Sequence, residues 1–253
     1  MYTPTSVIPD EFAGLRALVT GGSRGIGREI ALRLAAETYA VAVAYVSNTA
    51  EADQVVTEIT GHGGHALAIQ LDVADEQAVD AAFTRIEQAF GGLDVVINAA
   101  GVMPLAPLAE LDLNVLDQIY RTNIRGTFAV SRQAVRRLRG GGAIINFSSS
   151  VTRLAPPGYG AYAASKGAVE ALTLILAREL RGRDITANTV APGPTATALF
   201  FEGKDQATID RAAAFAPLDR LGTPADVAEV VAFLAGPGRW VNGQVIFANG
   251  GAA

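Results

Sequence analysis

The stretch Leu18–Ala31, "LVTGGSRGIGREIA", places glycines between an apolar run and a helix-like segment. Gly21, Gly25 and Gly27 follow the apolar run closely. Glycine adopts a positive φ without strain and lets a phosphate approach the main chain without meeting a Cβ. A helix that begins at such a turn directs free N–H groups and a partial positive charge at an anion. The stretch therefore predicts a strand, a tight turn and a helix that bind a pyrophosphate, although its glycine spacing differs from the usual G-x-G-x-x-G pattern.

The rest of the chain repeats this strand–helix unit. Seven apolar runs predict strands at Arg16–Thr20, Ala40–Val46, His65–Leu71, Leu93–Asn98, Ala143–Ser148, Asp184–Val190 and Gly243–Ala248. Helix-length stretches run over Arg24–Ala36, Thr49–Thr60, Glu76–Phe90, Val115–Leu138 and Ala161–Leu180. The strands are apolar on both faces, as parallel strands are when helices cover both sides. We therefore expect a single-domain α/β fold, a Rossmann-type doubly wound parallel sheet of about seven strands with helices on both faces.

Two segments depart from this alternation. Residues 1–12 predict an N-terminal tail ahead of one domain over residues 13–253. Residues 191–225 form a connection longer than an ordinary strand–helix turn. Long connections at the carboxyl end of such a sheet often form lids or binding walls, so this interval is the predicted substrate loop.

Composition limits the classes of function. Hydrophobic residues make up 50% of the 253 residues, which suits a well-filled core. The net charge of -5 argues against nucleic-acid binding, and the lack of cysteine excludes disulfides and thiol nucleophiles. His62 and His65 lie in a glycine-rich turn, which predicts a solvated loop and no metal site. No secretory signal pattern and no apolar run of the ~20 residues that span a bilayer is present, so we expect a cytoplasmic protein without a membrane partner.

Further motifs follow in order along the chain. The fourth predicted strand ends in Asn98–Gly101 and the fifth in Ser148–Ser150. Tyr162 and Lys166 stand four residues apart in a predicted helix and so share one face. With the glycine turn, this set resembles the classical short-chain dehydrogenase/reductase family over nearly the whole chain, in particular 3-oxoacyl-[acyl-carrier-protein] reductases and carbonyl reductases. The resemblance implies hydride exchange between a nicotinamide cofactor and a carbonyl or alcohol, in a homotetramer.

The tyrosine and lysine suit this chemistry. A carbonyl that accepts a hydride needs a proton at its oxygen, but the ordinary pKa of tyrosine is near ~10. A lysine ammonium about 4 Å away favours the phenolate by up to ~4 kcal/mol. Tyr162 is thus the predicted general acid and base, with Lys166 lowering its pKa. By resemblance, Ser149, thirteen residues before the tyrosine, polarises the carbonyl, and Asn123 supports a proton relay to Lys166. The alternative role of Ser149 is to cap the end of a strand. The alternative role of Asn123 is that of an amide that bends its helix.

The resemblance also implies the cofactor contacts. Asp72 and Val73 are expected at the adenine, with a cap for the next helix as the alternative role of the aspartate, and Lys166 is expected to hold the nicotinamide ribose. The other expected contacts are in the glycine turn, at strand ends and after the sixth strand: Gly21, Ser23, Arg24, Gly25, Ile26, Gly27, Tyr45, Ser47, Asn48, Asn98, Ala99, Ala100, Gly101, Tyr162, Pro192, Gly193, Thr195 and Thr197.

The end of the second strand favours NADP(H) over NAD(H). An NAD enzyme commonly has a carboxylate there for the ribose 2′-hydroxyl. Here Tyr45, Ser47 and Asn48 come first, and no carboxylate follows until Glu51. Arg24, in the glycine turn, supplies a cation that suits a 2′-phosphate, although a surface ion pair is its alternative role.

The substrate is expected to be a fairly hydrophobic ketone, such as a 3-oxoacyl group. An acyl-carrier protein is a suggested partner because arginines cluster at the ends of the fourth and fifth predicted helices, although cations also complement a helix dipole. These are Arg132, Arg136, Arg137, Arg139, Arg181 and Arg183. A sugar or polyol dehydrogenase and a non-catalytic dinucleotide sensor remain alternatives. The candidate pocket residues are mostly apolar: Met103, Leu105, Leu154, Pro156, Tyr159, Leu199, Phe200 and Phe201.

Overall fold

Seven parallel strands form one sheet in the computed structural model, which describes residues 14–253. They are β1 Arg16–Thr20, β2 Ala40–Tyr45, β3 Ala66–Gln70, β4 Val95–Asn98, β5 Ala143–Phe147, β6 Thr186–Pro192 and β7 Val245–Ala248. Their order across the sheet is β3-β2-β1-β4-β5-β6-β7. The predicted doubly wound parallel α/β fold is confirmed. The predicted tail at residues 1–12 lies outside the described residues.

Helices cover both faces of the sheet. They are α1 Gly25–Ala36, α2 Thr49–Gly61, α3 Glu76–Phe90, α4 Leu113–Ile119, α5 Thr127–Arg137, α6 Val151–Leu154, α7 Gly160–Glu179, α8 Ala198–Phe201, α9 Gln206–Phe215 and α10 Pro224–Ala235. Phe83 of α3 and Leu176 of α7 belong to one buried cluster. Ile30 of α1 and Val231 of α10 belong to a second. These two apolar layers sandwich the sheet and explain why its strands carry apolar residues on both faces.

The strand order places a crevice at the centre of the sheet. β1 pairs with β2 on one side and with β4 on the other, and Thr20 lies beside Asn98 in this register. The chain leaves β1 and β4 towards opposite faces of a doubly wound sheet, which opens a cleft beyond their carboxyl ends. The glycine turn and Asn98–Gly101 therefore meet at this edge.

The helix predicted over Val115–Leu138 is wrong as a single regular helix. It contains a π-helical turn, Tyr120–Gly126, between α4 and α5. A Cβ on Gly126 would lie 2.5 Å from Val73 Cγ2, so Val73 packs directly against this turn. Such wide turns occur mainly at functional sites, and this one carries Asn123.

The interval 191–225 is more ordered than predicted. β6 continues to Pro192, two residues beyond the predicted end, because residues 189–192 pair with β7. Two helices, α8 and α9, follow within the interval, and α10 begins at Pro224. The predicted substrate loop is thus a helical excursion at the carboxyl edge of the sheet. Within residues 14–253, no helix is long and apolar enough to cross a membrane.

Candidate active site

The glycine turn is built so tightly that side chains do not fit. Gly21 and Gly25 have φ angles of 65° and 55°. A Cβ on Gly21 would lie 3.0 Å from Ala100 Cα, and one on Gly27 would overlap the carbonyl oxygen of Gly21. The structure therefore confirms that this turn needs residues without a side chain. Together these glycines bring the start of α1 against the end of β4.

The N-terminus of α1 keeps its donors free of side-chain caps. Arg24 stands at the N-cap position and makes no capping hydrogen bond, whereas Asn48 caps α2 and Asp75 caps α3. An anion at the start of α1 can accept from these N–H groups and is stabilised by the helix dipole. Glycines that admit close approach and an uncapped helix start are what a dinucleotide pyrophosphate requires. The residues of this site therefore fit the implied cofactor.

The fourth strand leads directly to this turn. The Thr20 hydroxyl accepts a hydrogen bond from Ala100 N at 3.1 Å, which joins the two strand ends. The Asn98 side chain, however, donates to Asn146 Oδ1 at 2.8 Å and to Ser131 Oγ at 3.1 Å inside the fold. The Asn98 amide thus ties β4 to β5 and α5, and the contact of this residue with the ribose and nicotinamide side stays a prediction.

Asn123 holds the loop after β4. Its Oδ1 accepts from Val102 N at 2.9 Å, and its Nδ2 donates to Val102 O at 3.0 Å and to Ser165 Oγ at 3.1 Å. A Cβ on Gly101 would lie 3.3 Å from Asn123 Oδ1 and 3.6 Å from Lys166 Nζ. The asparagine therefore links the π-helical turn, the β4 loop and the helix that carries the lysine. Because the Asn123 side chain makes these hydrogen bonds, the predicted proton relay to Lys166 needs other atoms of this residue.

Ser149, Tyr162 and Lys166, the predicted catalytic residues, lie together. The Ser149 hydroxyl is near enough to the Tyr162 phenol to act on its pKa. Lys166 Nζ lies 5.5 Å from the centroid of the Tyr162 ring and donates to the carbonyl of Phe147 at 2.9 Å. The tyrosine and lysine are only 9% and 5% exposed. A serine, a phenol and an ammonium thus meet at the carboxyl end of β5.

The electrostatics of the pair differ from the prediction. Burial raises the pKa of Tyr162 to about 12, although the hydrogen bond from Ser149 acts in the opposite direction. Burial also lowers the pKa of Lys166 to about 8. The loss of hydration outweighs any lowering of the Tyr162 pKa by Lys166, whose ammonium donates to the backbone carbonyl of Phe147. The phenol is therefore protonated at neutral pH. The tuning of Tyr162 by Lys166 stays a prediction.

The lowered pKa of Lys166 predicts a pH-dependent stability. Burying the ammonium destabilises the fold fully below pH 8, and the penalty is relieved as the pH rises through about 8 towards the ordinary 10.5. From pH 7 to 9 we expect the wild type to gain about 1 kcal/mol of unfolding free energy relative to Lys166→Met. Thermal unfolding should show the difference in Tm between the two proteins changing by about 2–4 °C over this range. A constant difference would contradict the lowered pKa.

The end of β2 supplies neutral polar groups. Ser47 and Asn48 are exposed, and Tyr45 is buried as the last residue of the strand. The Oδ1 of Asn48 accepts from Glu51 N at 3.2 Å, so this side chain can offer only its NH₂ group to an anion. Arg24 is exposed near this edge and forms no ion pair within residues 14–253. The surface ion pair considered as its alternative role is therefore not seen in that range.

Asp72 makes contacts of its own at the end of β3. Its Oδ1 accepts from Ala74 N at 2.9 Å, and its Oδ2 pairs with Arg121 at 2.8 Å. Asp75, and not Asp72, caps α3. Hydrogen bonds from Ala74 and Arg121 lower the pKa of Asp72 despite an opposing effect of burial. The aspartate thus fixes the turn that places Val73.

The segment after β6 reaches over the glycine turn. A Cβ on Gly25 would lie 3.5 Å from Thr197 Cγ2, so Thr197 stands beside the start of α1. Pro192 O accepts from Ser150 N at 2.9 Å, and Gly193 N donates to Ala248 O. Thr195 is buried, and its hydroxyl donates to Gly193 O at 2.9 Å. The predicted contacts from this segment therefore lie next to both the serine turn and the glycine turn.

Two of the arginines suggested for a carrier protein, Arg139 and Arg183, do not lie at this site. Arg139 pairs with Asp94, just before β4, at 2.6 Å, and the guanidinium of Arg183 donates to the carbonyl of Leu138. These positions are at the amino edge of the sheet, because α5 and α7 end where strands begin. The prediction of a basic pocket rim is thus wrong for them. His62 likewise lies apart, at the end of α2, with its Nδ1 2.8 Å from the carbonyl oxygen of Glu58.

One acidic residue beside the site escaped the sequence analysis. Glu170 Oε1 accepts from Ser148 Oγ at 2.6 Å and from Thr152 Oγ1 at 2.9 Å. The signal was present, since Glu170 follows Lys166 by four residues and so shares its face of α7. A carboxylate one turn beyond the lysine reads equally as an ordinary surface residue. Its contacts with the serine turn depend on long-range packing.

Comparisons with known proteins agree with this geometry. Residues 21–253 match the family model described as enoyl-(acyl carrier protein) reductase. A short-chain type dehydrogenase/reductase of Picea abies is 47% identical and covers 94% of this chain and 92% of its own. The NADPH-dependent aldehyde reductase-like protein, chloroplastic, of Arabidopsis thaliana is 44% identical and covers 99% of this chain and 98% of its own.

A solved structure is similarly close. The short-chain dehydrogenase from Burkholderia cenocepacia J2315, in complex with NADP, has a TM-score of 0.90 and is 40% identical over 96% of this chain and 99% of its own. The identities and coverages exceed what a shared fold alone would give. The chain therefore belongs to the short-chain dehydrogenase/reductase family of oxidoreductases.

Proposed function

We propose that this protein uses NADPH to reduce the carbonyl group of a fairly hydrophobic substrate, a ketone or an aldehyde, to the alcohol. The observation that carries the proposal is the buried phenol of Tyr162, which lies next to Ser149 and to the ammonium of Lys166. The Arabidopsis relative described as an NADPH-dependent aldehyde reductase-like protein supports the same reaction class.

The protonation state of Tyr162 favours the reductive direction. When bound, NADPH supplies the hydride that reaches the carbonyl carbon. Because the pKa of Tyr162 is raised to about 12, its phenol carries a proton at neutral pH and can donate it to the carbonyl oxygen. Ser149 donates a hydrogen bond to the same oxygen as negative charge develops there. Oxidation of a sugar or polyol would instead need a phenolate, which burial disfavours.

NADP(H) is the cofactor, and the chain's residues accommodate it. The uncapped start of α1 receives the pyrophosphate, and Lys166 holds the nicotinamide ribose. Arg24 recognises the 2′-phosphate, since its guanidinium is exposed and the end of β2 offers Ser47 and Asn48 instead of a carboxylate. The NADP complex of the Burkholderia cenocepacia neighbour supports this cofactor.

The substrate side of the cleft is apolar. Ala106 N donates to Gly158 O at 3.1 Å, which brings the β4 loop against the segment before α7. Phe200 and Phe201 of α8 pack edge to face with centroids 5.6 Å apart, and Lys204 Nζ lies 4.9 Å from the Phe200 ring. We assign Phe200 and Phe201 to an apolar wall of the substrate cleft, which suits an acyl or aryl carbonyl compound.

An assembly into homotetramers is part of the proposal. Leu174 and Ile175 on α7 are 45% and 53% exposed, and Trp240 before β7 is fully exposed at 100%. Apolar side chains on regular elements are suited to contacts between copies of the chain. The protein is further proposed to act in an aqueous compartment. The Arabidopsis relative is described as chloroplastic, which adds a plastid to the cytoplasm as a candidate compartment.

The test is the absorbance of the nicotinamide during turnover. NADPH and NADH are each offered with a 3-oxoester, an aryl ketone and an aromatic aldehyde, and NADP⁺ and NAD⁺ with glucose. We expect NADPH oxidation with the carbonyl compounds, at a kcat/KM at least about tenfold above that with NADH. Turnover with glucose alone would indicate a sugar dehydrogenase. Tight NADPH binding without any turnover would indicate a sensor.

The same assay tests Arg24. Arg24→Ala should reduce the preference for NADPH over NADH by about tenfold, because one guanidinium–phosphate contact is lost. Arg33→Ala is the matched control, since Arg33 lies at the far end of α1 and pairs with Glu229 at 2.7 Å. An unchanged preference in Arg24→Ala would assign the 2′-phosphate to other residues.

A further inference from the structure

A carboxylate of helix α7 binds the turn that carries Ser149 at two points. Glu170 Oε1 accepts hydrogen bonds from Ser148 Oγ at 2.6 Å and Thr152 Oγ1 at 2.9 Å. These donors lie on either side of Ser149 in the chain. Both bonds end on the same oxygen, and hydrogen bonds to a carboxylate are stronger than those between neutral groups.

Backbone hydrogen bonds hold the same turn from the other side. Ser148 N donates to Val190 O at 2.8 Å and Ser150 N to Pro192 O at 2.9 Å, which fixes both neighbours of Ser149 against β6. The hydroxyl of Thr152 also lies 3.1 Å from the carbonyl oxygen of Ser149. Glu170 attaches this turn to α7, next to the hydrogen bond that Lys166 Nζ of α7 donates to the carbonyl of Phe147 at the end of β5.

The attachment matters because α7 carries the reacting groups. Tyr162, Lys166 and Glu170 follow each other at intervals of four residues and so share one stripe of the helix. A displacement of about 1 Å between a catalytic group and its partner can slow a reaction ~100-fold. Holding the serine turn to this stripe sets the distance between the Ser149 hydroxyl and the phenol.

We infer that Glu170 is a positioning residue, which fixes Ser149 against Tyr162 by binding Ser148 and Thr152 together. The inference rests on the function proposed above. Glu170 does not reach the reacting atoms itself and acts through the serine turn. Its role is as a hydrogen-bond acceptor, so a neutral group of the same shape can replace it.

Two substitutions at Glu170 test this role by steady-state kinetics. Glu170→Ala removes both hydrogen bonds and should lower kcat by about 10- to 100-fold, with the KM for NADPH changed less than about threefold. Glu170→Gln should restore most of kcat, because one amide oxygen can accept from both hydroxyls. Glu179→Ala, which removes an exposed carboxylate at the end of α7, is the matched control. Thermal unfolding and size-exclusion chromatography verify that each variant is folded and assembled.

A double variant shows whether Glu170 acts through Ser149. If it does, Ser149→Ala combined with Glu170→Ala should be no slower than Ser149→Ala alone, since the serine that Glu170 positions is already gone. Losses that multiply, a wild-type kcat in Glu170→Ala, or no rescue in Glu170→Gln would each overturn the inference. Wild-type turnover in Ser149→Ala would remove the role proposed for Ser149 and with it the basis of this inference, whereas a wild-type protein that turns over no carbonyl substrate would overturn the proposed function.

Discussion

Tyr162→Phe should lower the turnover of a carbonyl substrate by about 1,000-fold, because general acid catalysis at the carbonyl oxygen is lost. NADPH affinity should stay within about threefold of the wild type, since phenylalanine preserves the ring beside Lys166 and removes only the hydroxyl. Single-turnover kinetics with NADPH in excess, together with direct titration of cofactor binding, separate the two quantities.

Tyr39→Phe is a matched control for this result. Tyr39 is also buried, burial likewise raises its pKa, and its hydroxyl lies 3.3 Å from the carbonyl oxygen of Ala235. Its removal should lower the unfolding free energy by about 1 kcal/mol without changing kcat. Retained turnover in Tyr162→Phe would assign the proton donor to another group. Loss of NADPH binding together with turnover would assign the phenol a structural role.

The parts of this protein that could be predicted from sequence are those in which local pattern and global fold agree. The run of apolar residues in β1 and the glycines after it fix a strand, a turn and a helix within twenty residues. Tyr162 and Lys166 need only the helical period to come together. Such features depend on neighbours along the chain, and the structure confirms the fold built from them.

The parts that could not be predicted depend on contacts between distant segments. The π-helical turn exists where Asn123 clamps Val102, 21 residues away. The Asn98 amide turns inward because Asn146 lies beside it in the register of β4 and β5. The pKa of Tyr162 follows from how completely the fold excludes water, which no spacing of residues reveals. Likewise, the edge of the sheet at which an arginine-rich helix ends can be predicted only when the topology of the sheet is known.

Gly27→Ala should be the most damaging substitution in the cofactor site. A Cβ at this position would overlap the carbonyl oxygen of Gly21 and lie 3.2 Å from Gly22 Cα. These neighbours are backbone atoms in a tight turn, so they cannot move aside as a flexible side chain would. We expect a loss of about 3 kcal/mol of unfolding free energy, a Tm lower by roughly 6–12 °C, and NADPH binding weakened about 100-fold. Thermal unfolding with and without NADPH measures both effects.

Gly61→Ala provides the opposite case. Gly61 is the last residue of α2, and nothing lies within 4 Å of a Cβ built there. Alanine should stabilise this helix end by up to about 0.5–1 kcal/mol and leave NADPH binding unchanged. If Gly27→Ala left stability and NADPH binding as unharmed as Gly61→Ala, there would be space for a Cβ between β1 and α1 that the structure does not show. The glycine turn would then not be the pyrophosphate site. If it fails as expected while retaining a folded fraction, the lost affinity locates the cofactor at the start of α1.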